Sequence, residues 1–230
     1  MSLDYLLADL QKRLSYQFKE KKLLTQALTH RSAQGAHNER LEFLGDSILG
    51  FVIAAKLYHL FPEANEGQMT RLRAKLVKEK SLAELANELQ LGELLKLGSG
   101  ELKSGGFRRA SILSDAFEAI LGAIYLDGGL ASSEQVIHHL YHSRYQSLSL
   151  SMAEKDPKTR LQEWLQSRKK ELPDYQVFKT DGQDHNKIYW VRCSLQQPES
   201  KDKQMTEANG SSRRKAEQSA AKKMLEILGV

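Results

Sequence analysis

The stretch NERLEFLGDSILGFVIAAKLY, Asn38 to Tyr58, opens with three acids and then turns almost wholly apolar. Each residue of an α-helix advances by about 100°. Glu39, Glu42 and Asp46, at spacings of three and four, therefore fall in one stripe. The stripe continues through Gly50, Ile53 and Leu57, and from Ser47 onward apolar residues lie on every side, the pattern of a buried helix. Carboxylates crowded at the mouth of a core element repel one another or take up protons unless a cation joins them. A solvated helix face is the ordinary reading of an acidic stripe, and the apolar continuation speaks against it here.

A second stretch repeats the design. In SILSDAFEAILGAIYL, Ser111 to Leu126, Asp115 and Glu118 are three apart, and their stripe runs on into Gly122 and Tyr125. Ser111 or Ser114 is expected to cap this helix. Two core helices with acids at their N-terminal ends can bring Glu42, Asp46, Asp115 and Glu118 to one point. An all-oxygen cluster suits a hard ion, Mg²⁺ or its substitute Mn²⁺, rather than zinc. The rival explanation is that acids in a first turn complement the helix dipole. That accounts for one acid per helix more comfortably than for a pair.

The chain of 230 residues has one cysteine, Cys193, which excludes an intramolecular disulfide and a cysteine-based zinc cluster. No apolar run is expected to cross a bilayer, and the N-terminal MSLDYLLADLQKR lacks the basic-then-apolar order of a secretory signal, so a cytoplasmic protein without a membrane partner is expected. The net charge of +5 is unevenly placed: residues 1–154 carry 18 Lys+Arg against 18 Asp+Glu, and residues 155–230 carry 16 against 11. A basic C-terminal third suggests a polyanion-binding module, against the plain alternative of a solvated surface.

The periodicity is helical up to about Tyr145, and SLSLSMAEKDP (Ser147–Pro157) reads as a linker region. The domains are accordingly expected at 1–150 and 156–230 with a linker at 151–155. Asp156 and Pro157 suit the cap and first position of a helix reaching Lys170, burying Leu161, Trp164 and Leu165. DYQVFKTDG and KIYWVRCSL read as strands, with Val191, Cys193 and Leu195 on one face, so Cys193 is core filling. PESKDK (Pro198–Lys203) reads as a turn and Gln204–Ala208 as a short third strand. A last helix turns Ala216, Ala220, Met224, Ile227 and Leu228 inward.

HNERLEFLGDSIL (His37–Leu49) resembles the signature of the ribonuclease III family. ALTHRS (Ala27–Ser32), EGQMTRLRAKLV (Glu66–Val77) and RRASILSDAFEAILGAIYLDGG (Arg108–Gly129) are similar to the rest of its catalytic domain. The C-terminal part, ending in GSSRRKAEQSAA (Gly210–Ala221), resembles a double-stranded-RNA-binding domain. The resemblance implies an all-α catalytic domain followed by a small α+β domain of order α-β-β-β-α. It implies a homodimer that hydrolyses duplex RNA with Mg²⁺, leaving 5′-phosphate and 3′-hydroxyl ends with short 3′ overhangs. It points to ribosomal RNA precursors and structured messages as substrates. Carried over by position, the metal ligands are Glu42, Asp46, Asp115 and Glu118, with Asp46 and Glu118 catalytic. Glu39 and Glu66 match further acids nearer the RNA. In the family, residues around Phe43, Leu44 and Leu49 pack across the two-fold axis, although as sequence they read as ordinary core.

A-form RNA is read across its minor groove through 2′-hydroxyls and phosphates. Thr159, Gln162 and Glu163 share the outer side of the first helix of the second domain, and His185 sits in its strand–strand loop. Gly210, Ser211, Ser212, Arg213, Arg214 and Lys215 form the strongest binding signal. Free N–H groups at a helix start attract anions, and three cations there oppose the helix dipole unless a phosphate joins them. In the first domain Arg108 and Arg109 are candidates to grip RNA, Gln68 and Arg71 weaker ones, and His30 reads as a structural hydrogen-bonder. Ala208, where the family often has glycine, and Glu217, where many such domains place lysine, depart from the pattern. Two other readings stand beside a duplex-RNA endonuclease: a non-cleaving RNA-binding regulator, and a metal phosphohydrolase acting on small nucleotides.

Overall fold

The structure is a computed structural model that describes residues 2–183, 186–196 and 203–230. It divides into two units, Met1–Ala153 and Glu154–Val230.

The first unit is helical, with one isolated bridge between Thr29 and Lys96. Its helices are α1 (Leu3–Leu14), α2 (Lys21–Ala27), α3 (Glu39–Leu60), α4 (Glu66–Val77), α5 (Glu79–Glu88), α6 (Ser99–Lys103), α7 (Ala110–Leu140) and α8 (His142–Gln146). The axis of the unit is the pairing of α3 with α7. Leu49, Ile53 and Leu57 of α3 are fully buried with Phe117, Ile120, Leu121 and Ile124 of α7. The two helices touch backbone to backbone. A Cβ added at Gly45 would lie 1.8 Å from the Glu118 carbonyl oxygen, and one at Gly122 would lie 2.2 Å from that of Leu41. Gly129, at φ 77°, breaks the regularity of α7 well beyond this contact.

Three expectations change. Helix α3 is not buried all round: Phe43 (78% exposed), Phe51 and Tyr58 leave an apolar strip in solvent, while Leu49 belongs to the core. The same helix is apolar enough to cross a bilayer by length and composition only, a test that the core helix of a folded domain also passes; its other side packs on α7 and carries the acids. Neither Ser111 nor Ser114 caps α7, which starts at Ala110 with Arg109 in the cap position, and Ser114 Oγ donates to the Ser111 carbonyl at 2.8 Å. Residues 150–153, assigned in part to the linker, form a 3₁₀ turn whose Ala153 is buried and accepts from Arg71 Nε at 2.6 Å.

The second unit runs α9 (Pro157–Ser167), β1 (Asp174–Asp181), β2 (Ile188–Gln196), β3 (Lys203–Gly210), α10 (Arg213–Leu228), with the strands in antiparallel order β1-β2-β3. Asp156 accepts the Thr159 N–H and Pro157 takes the first helical position. Val191, Cys193 and Leu195 face the helices and are buried, and Ala208 pairs with Val191 in regular register, so alanine fits this strand. Helix α9 stops at Ser167 rather than Lys170, β3 is longer than expected, and Ile227 is 56% exposed rather than inward. The expected turn at 198–203 falls almost wholly outside the described residues.

An exposed helical glycine replaced by alanine ordinarily gains about 1 kcal/mol. Gly50 has open space around it and should follow that rule. Gly45→Ala and Gly122→Ala should do the reverse, losing roughly 3 kcal/mol by overpacking, or about 6–12 °C in the melting of the first unit. Scanning calorimetry of the three variants checks the contrast in sign.

Candidate active site

The glycine contact brings the acids of α3 against those of α7. Carboxylate oxygens of Glu42, Asp115 and Glu118 lie within 4.8 Å of one another, each residue partly buried. A cleft of about 670 Å³ opens over Glu42 and Asp115, lined among others by His30, Arg31, Asn38, Glu39, Arg109 and Ser111, and Glu118 stands beside its lining. Glu118 is the most strained electrostatically. Burial first, then the charges of Asp46, Glu42 and Asp115, push its carboxyl up to about 8 from 4.5. Glu42 is raised by burial, Asp115 and Glu39, and Asp115 is raised chiefly by burial. The helix dipole is too small a reason for this crowding, because Glu118 stands in the third turn of α7.

Of the four expected ligands, three converge and Asp46 stands outside the tight group, exposed, one turn beyond Glu42. Its charge nonetheless acts on Glu118 more than that of any other acid. Glu39 lines the cleft and pairs with Arg31 at 3.1 Å. Glu66 opens α4, accepts from Thr70 Oγ1 at 2.7 Å and lines a different hollow with Tyr58 and Arg73. Arg109 reaches the cleft, held by Glu101 at 3.0 Å, whereas Arg108 lies over the Phe107 ring. Gln68 is engaged in a capping box with Asn65, and Arg71 donates from Nε to the Ala153 carbonyl. His30 Nδ1 accepts the Ser32 N–H at 3.2 Å, the structural part expected of it.

In the second unit Thr159 Oγ1 donates to Asp156 at 2.8 Å, Gln162 is exposed, and Glu163 pairs with Lys155 at 2.5 Å. Arg213, Arg214 and Lys215 are exposed in the first turn of α10, where Ser212 accepts the Lys215 N–H and Lys215 Nζ donates to Ser211 Oγ. Thr159, Gln162, Arg213 and Arg214 line one cleft between α9 and α10. His185 lies outside the described residues. What the sequence reading missed is Gly45, whose signal is a glycine in mid-helix, paired with Gly122 in the other acid-bearing helix.

Residues 20–145 match the family described as Ribonuclease-III-like, and residues 157–228 match the double-stranded RNA binding motif. The chain belongs to the ribonuclease III family. Ribonuclease 3 of Glaesserella parasuis is 52% identical over 96% of this chain and 97% of its own length. That of Aliivibrio fischeri is 56% identical over 92% and 93%. The nuclease domain of ribonuclease III from Campylobacter jejuni, solved as a crystal structure, covers 62% of this chain and 97% of its own at 43% identity and a TM-score of 0.59. A second structure of that domain, at 44% identity and a TM-score of 0.58 over 60% and 97%, is described as flexible in a region involved in dimer formation. This ribonuclease III family member is an endoribonuclease carrying a double-stranded-RNA-binding domain.

The raised Glu118 carboxyl has a stability consequence with a definite sign. Its folded value, about 8, exceeds the ordinary 4.5. The favourable contribution is complete below the ordinary value and is lost as pH rises through the folded one. In ion-free buffer the melting temperature should fall between pH 5 and pH 9. Glu118→Gln should melt higher than wild type at pH 9 and lose that advantage at pH 5, read by thermal melts at both.

Proposed function

We propose that this endoribonuclease is a Mg²⁺-dependent cytoplasmic homodimer. It hydrolyses both strands of duplex RNA, leaves 5′-phosphate and 3′-hydroxyl ends with short 3′ overhangs, and processes ribosomal RNA precursors and structured transcripts. The observation that carries the reading is the convergence of Glu118 with Glu42 and Asp115, where partial burial and the charges of Asp46, Glu42 and Asp115 push its carboxyl up to about 8. A divalent cation relieves that repulsion, and the donor set is all oxygen, which fits Mg²⁺ or Mn²⁺. Glu42, Asp115 and Glu118 would hold the ion, with Asp46 closing the set from the rim.

When bound, such an ion activates water and neutralises charge building on the phosphate. The protein side of the work is electrostatic and positional. Burial and the neighbouring acids favour the protonated Glu118 carboxyl, and a bound cation would favour its carboxylate form. Arg109, fixed by Glu101, and Arg31, paired with Glu39, set positive charge along a cleft that otherwise repels RNA. Arg108, Thr159, Gln162, Glu163, His185, Ser211, Ser212, Arg213, Arg214 and Lys215 are the proposed RNA contacts, with Glu39 and Glu66 the acids nearest the duplex. The exposed strip of Phe43, Phe51 and Tyr58 supports the dimer, since a two-fold axis suits the antiparallel strands of a duplex. The related nuclease domain described with a region of dimer formation supports the same reading.

Glu118→Gln and Asp46→Asn should each lower cleavage of a long RNA duplex in Mg²⁺ by more than about 100-fold. That exceeds the 10–100-fold typical of groups that only support a ligand. Gel-shift affinity without cleavage should be retained, and near-wild-type cutting by either variant removes the ligand assignment. Phe43→Asp should shift the sedimentation of the protein from dimer toward monomer, because it sets a charge on the strip.

A further inference from the structure

The C-terminal unit is basic, yet its cations are not equally free. Glu217, on α10 just past the basic turn, is buried at 8% exposure. One oxygen accepts from Lys158 Nζ at 2.6 Å and the other from Arg213 Nε at 2.9 Å. Lys158 belongs to α9, and its Nζ also lies 4.5 Å from the ring centre of Tyr175 on β1. A single carboxylate thus ties the two helices that bound the polar cleft and fixes two of its cations. Burial pushes the Glu217 carboxyl up, but hydrogen bonds from Lys158 and Arg213 outweigh it and hold the group below its ordinary range.

The geometry of the arginine is what matters for binding. Its Nε edge is committed to Glu217, whereas the side chain as a whole is 65% exposed. With Nε held by Glu217 and most of the side chain exposed, the guanidinium keeps its Nη donors available, the fork that grips phosphate oxygens. A long side chain that must be ordered on binding loses affinity through rotamer entropy, and one already ordered does not. The trio of Lys158, Arg213 and Glu217 keeps a net positive charge, so holding the cations does not abolish their attraction for an anion.

We propose that Glu217 is a positioning residue for RNA binding: by anchoring Lys158 and Arg213 it presents their outward donors to phosphates of the duplex. This rests on the reading of the second unit as the RNA-binding face. A position that in many such domains bears lysine here works through its neighbours instead of touching the phosphate itself.

The test uses the full-length protein and a long RNA duplex. Glu217→Ala should weaken duplex binding about 5- to 20-fold although it adds a net positive charge, raise KM by a similar factor, and leave kcat at saturating duplex unchanged. Glu217→Gln, which keeps an acceptor for Arg213, should recover most of the loss. In Glu217→Ala the slope of log affinity against log salt should become shallower by about one for each phosphate the variant no longer engages. In a double-mutant cycle, Arg213→Ala should cost much less in the Glu217→Ala background than in wild type. Glu217→Ala is expected to melt below wild type, because a carboxyl held below its ordinary range stabilises the fold, so binding is compared at a temperature where melting curves show every variant folded.

Binding by Glu217→Ala as tight as or tighter than wild type overturns the proposal, as does additivity in the cycle. A wild-type protein that fails to bind duplex RNA overturns the parent reading instead. Normal wild-type binding with indifferent Glu217 variants overturns this inference alone.

Discussion

Two missing side chains organise the catalytic half of this protein. Gly45 and Gly122 let α3 and α7 meet through their backbones, with space for no Cβ on either side. Each glycine sacrifices about 1 kcal/mol of helix propensity, and what is gained is proximity. Glu42 lies one turn before Gly45, and Glu118 one turn before Gly122. Helices packed through side chains stand about 8–10 Å apart, and a backbone contact brings their short acidic side chains closer still. At this contact they find one another. The same approach removes them from solvent and creates the repulsion that a cation can discharge. The hydrophobic seam below the glycines supplies the free energy that holds the acids in place against it.

Much of this was legible in the sequence, and the gaps have physical causes. Periodicity fixes the phase of a helix, so the acidic stripes and the inward faces of α9 and β2 could be read directly. Phase does not name a partner. An apolar strip that meets solvent has the same spacing as one that meets the core, which is why Phe43, Phe51 and Tyr58 read as buried. Spacing likewise put Asp46 in the stripe with Glu42, but only the packing against α7 decides which acid turns inward. Ile227 was misread because Met224, Leu225 and Leu228 take the inward side of α10, which leaves Ile227 56% exposed. Arg109 as the cap of α7 could not have been anticipated, since its side chain makes no capping hydrogen bond and bonds Glu101 and Ser104 instead.

Net charge was informative about the class of partner and uninformative about contacts. The surplus of basic groups sits in the C-terminal third, yet Arg213 and Lys158 are tied to Glu217, and Lys155 to Glu163. Counting cations treats these as interchangeable charges, whereas their geometry differs. Lysine is a point charge on a flexible stem, and arginine is a planar fork with separable edges. A carboxylate bonded to one edge of that fork orients the other, so an acid within a basic patch can serve anion binding.

The division into two units follows from incompatible electrostatic demands. The cleft of the first unit is lined by Glu39, Glu42 and Asp115, and an acidic cleft repels a polyanion. Arg31 and Arg109 moderate that field at the rim, but each is paired with an acid of its own. Affinity for the duplex must therefore come from elsewhere, and at physiological salt charges are screened beyond about 8 Å. Binding and cutting are then separable by substitution, and the strength of one can change without disturbing the crowding of carboxylates on which the other depends.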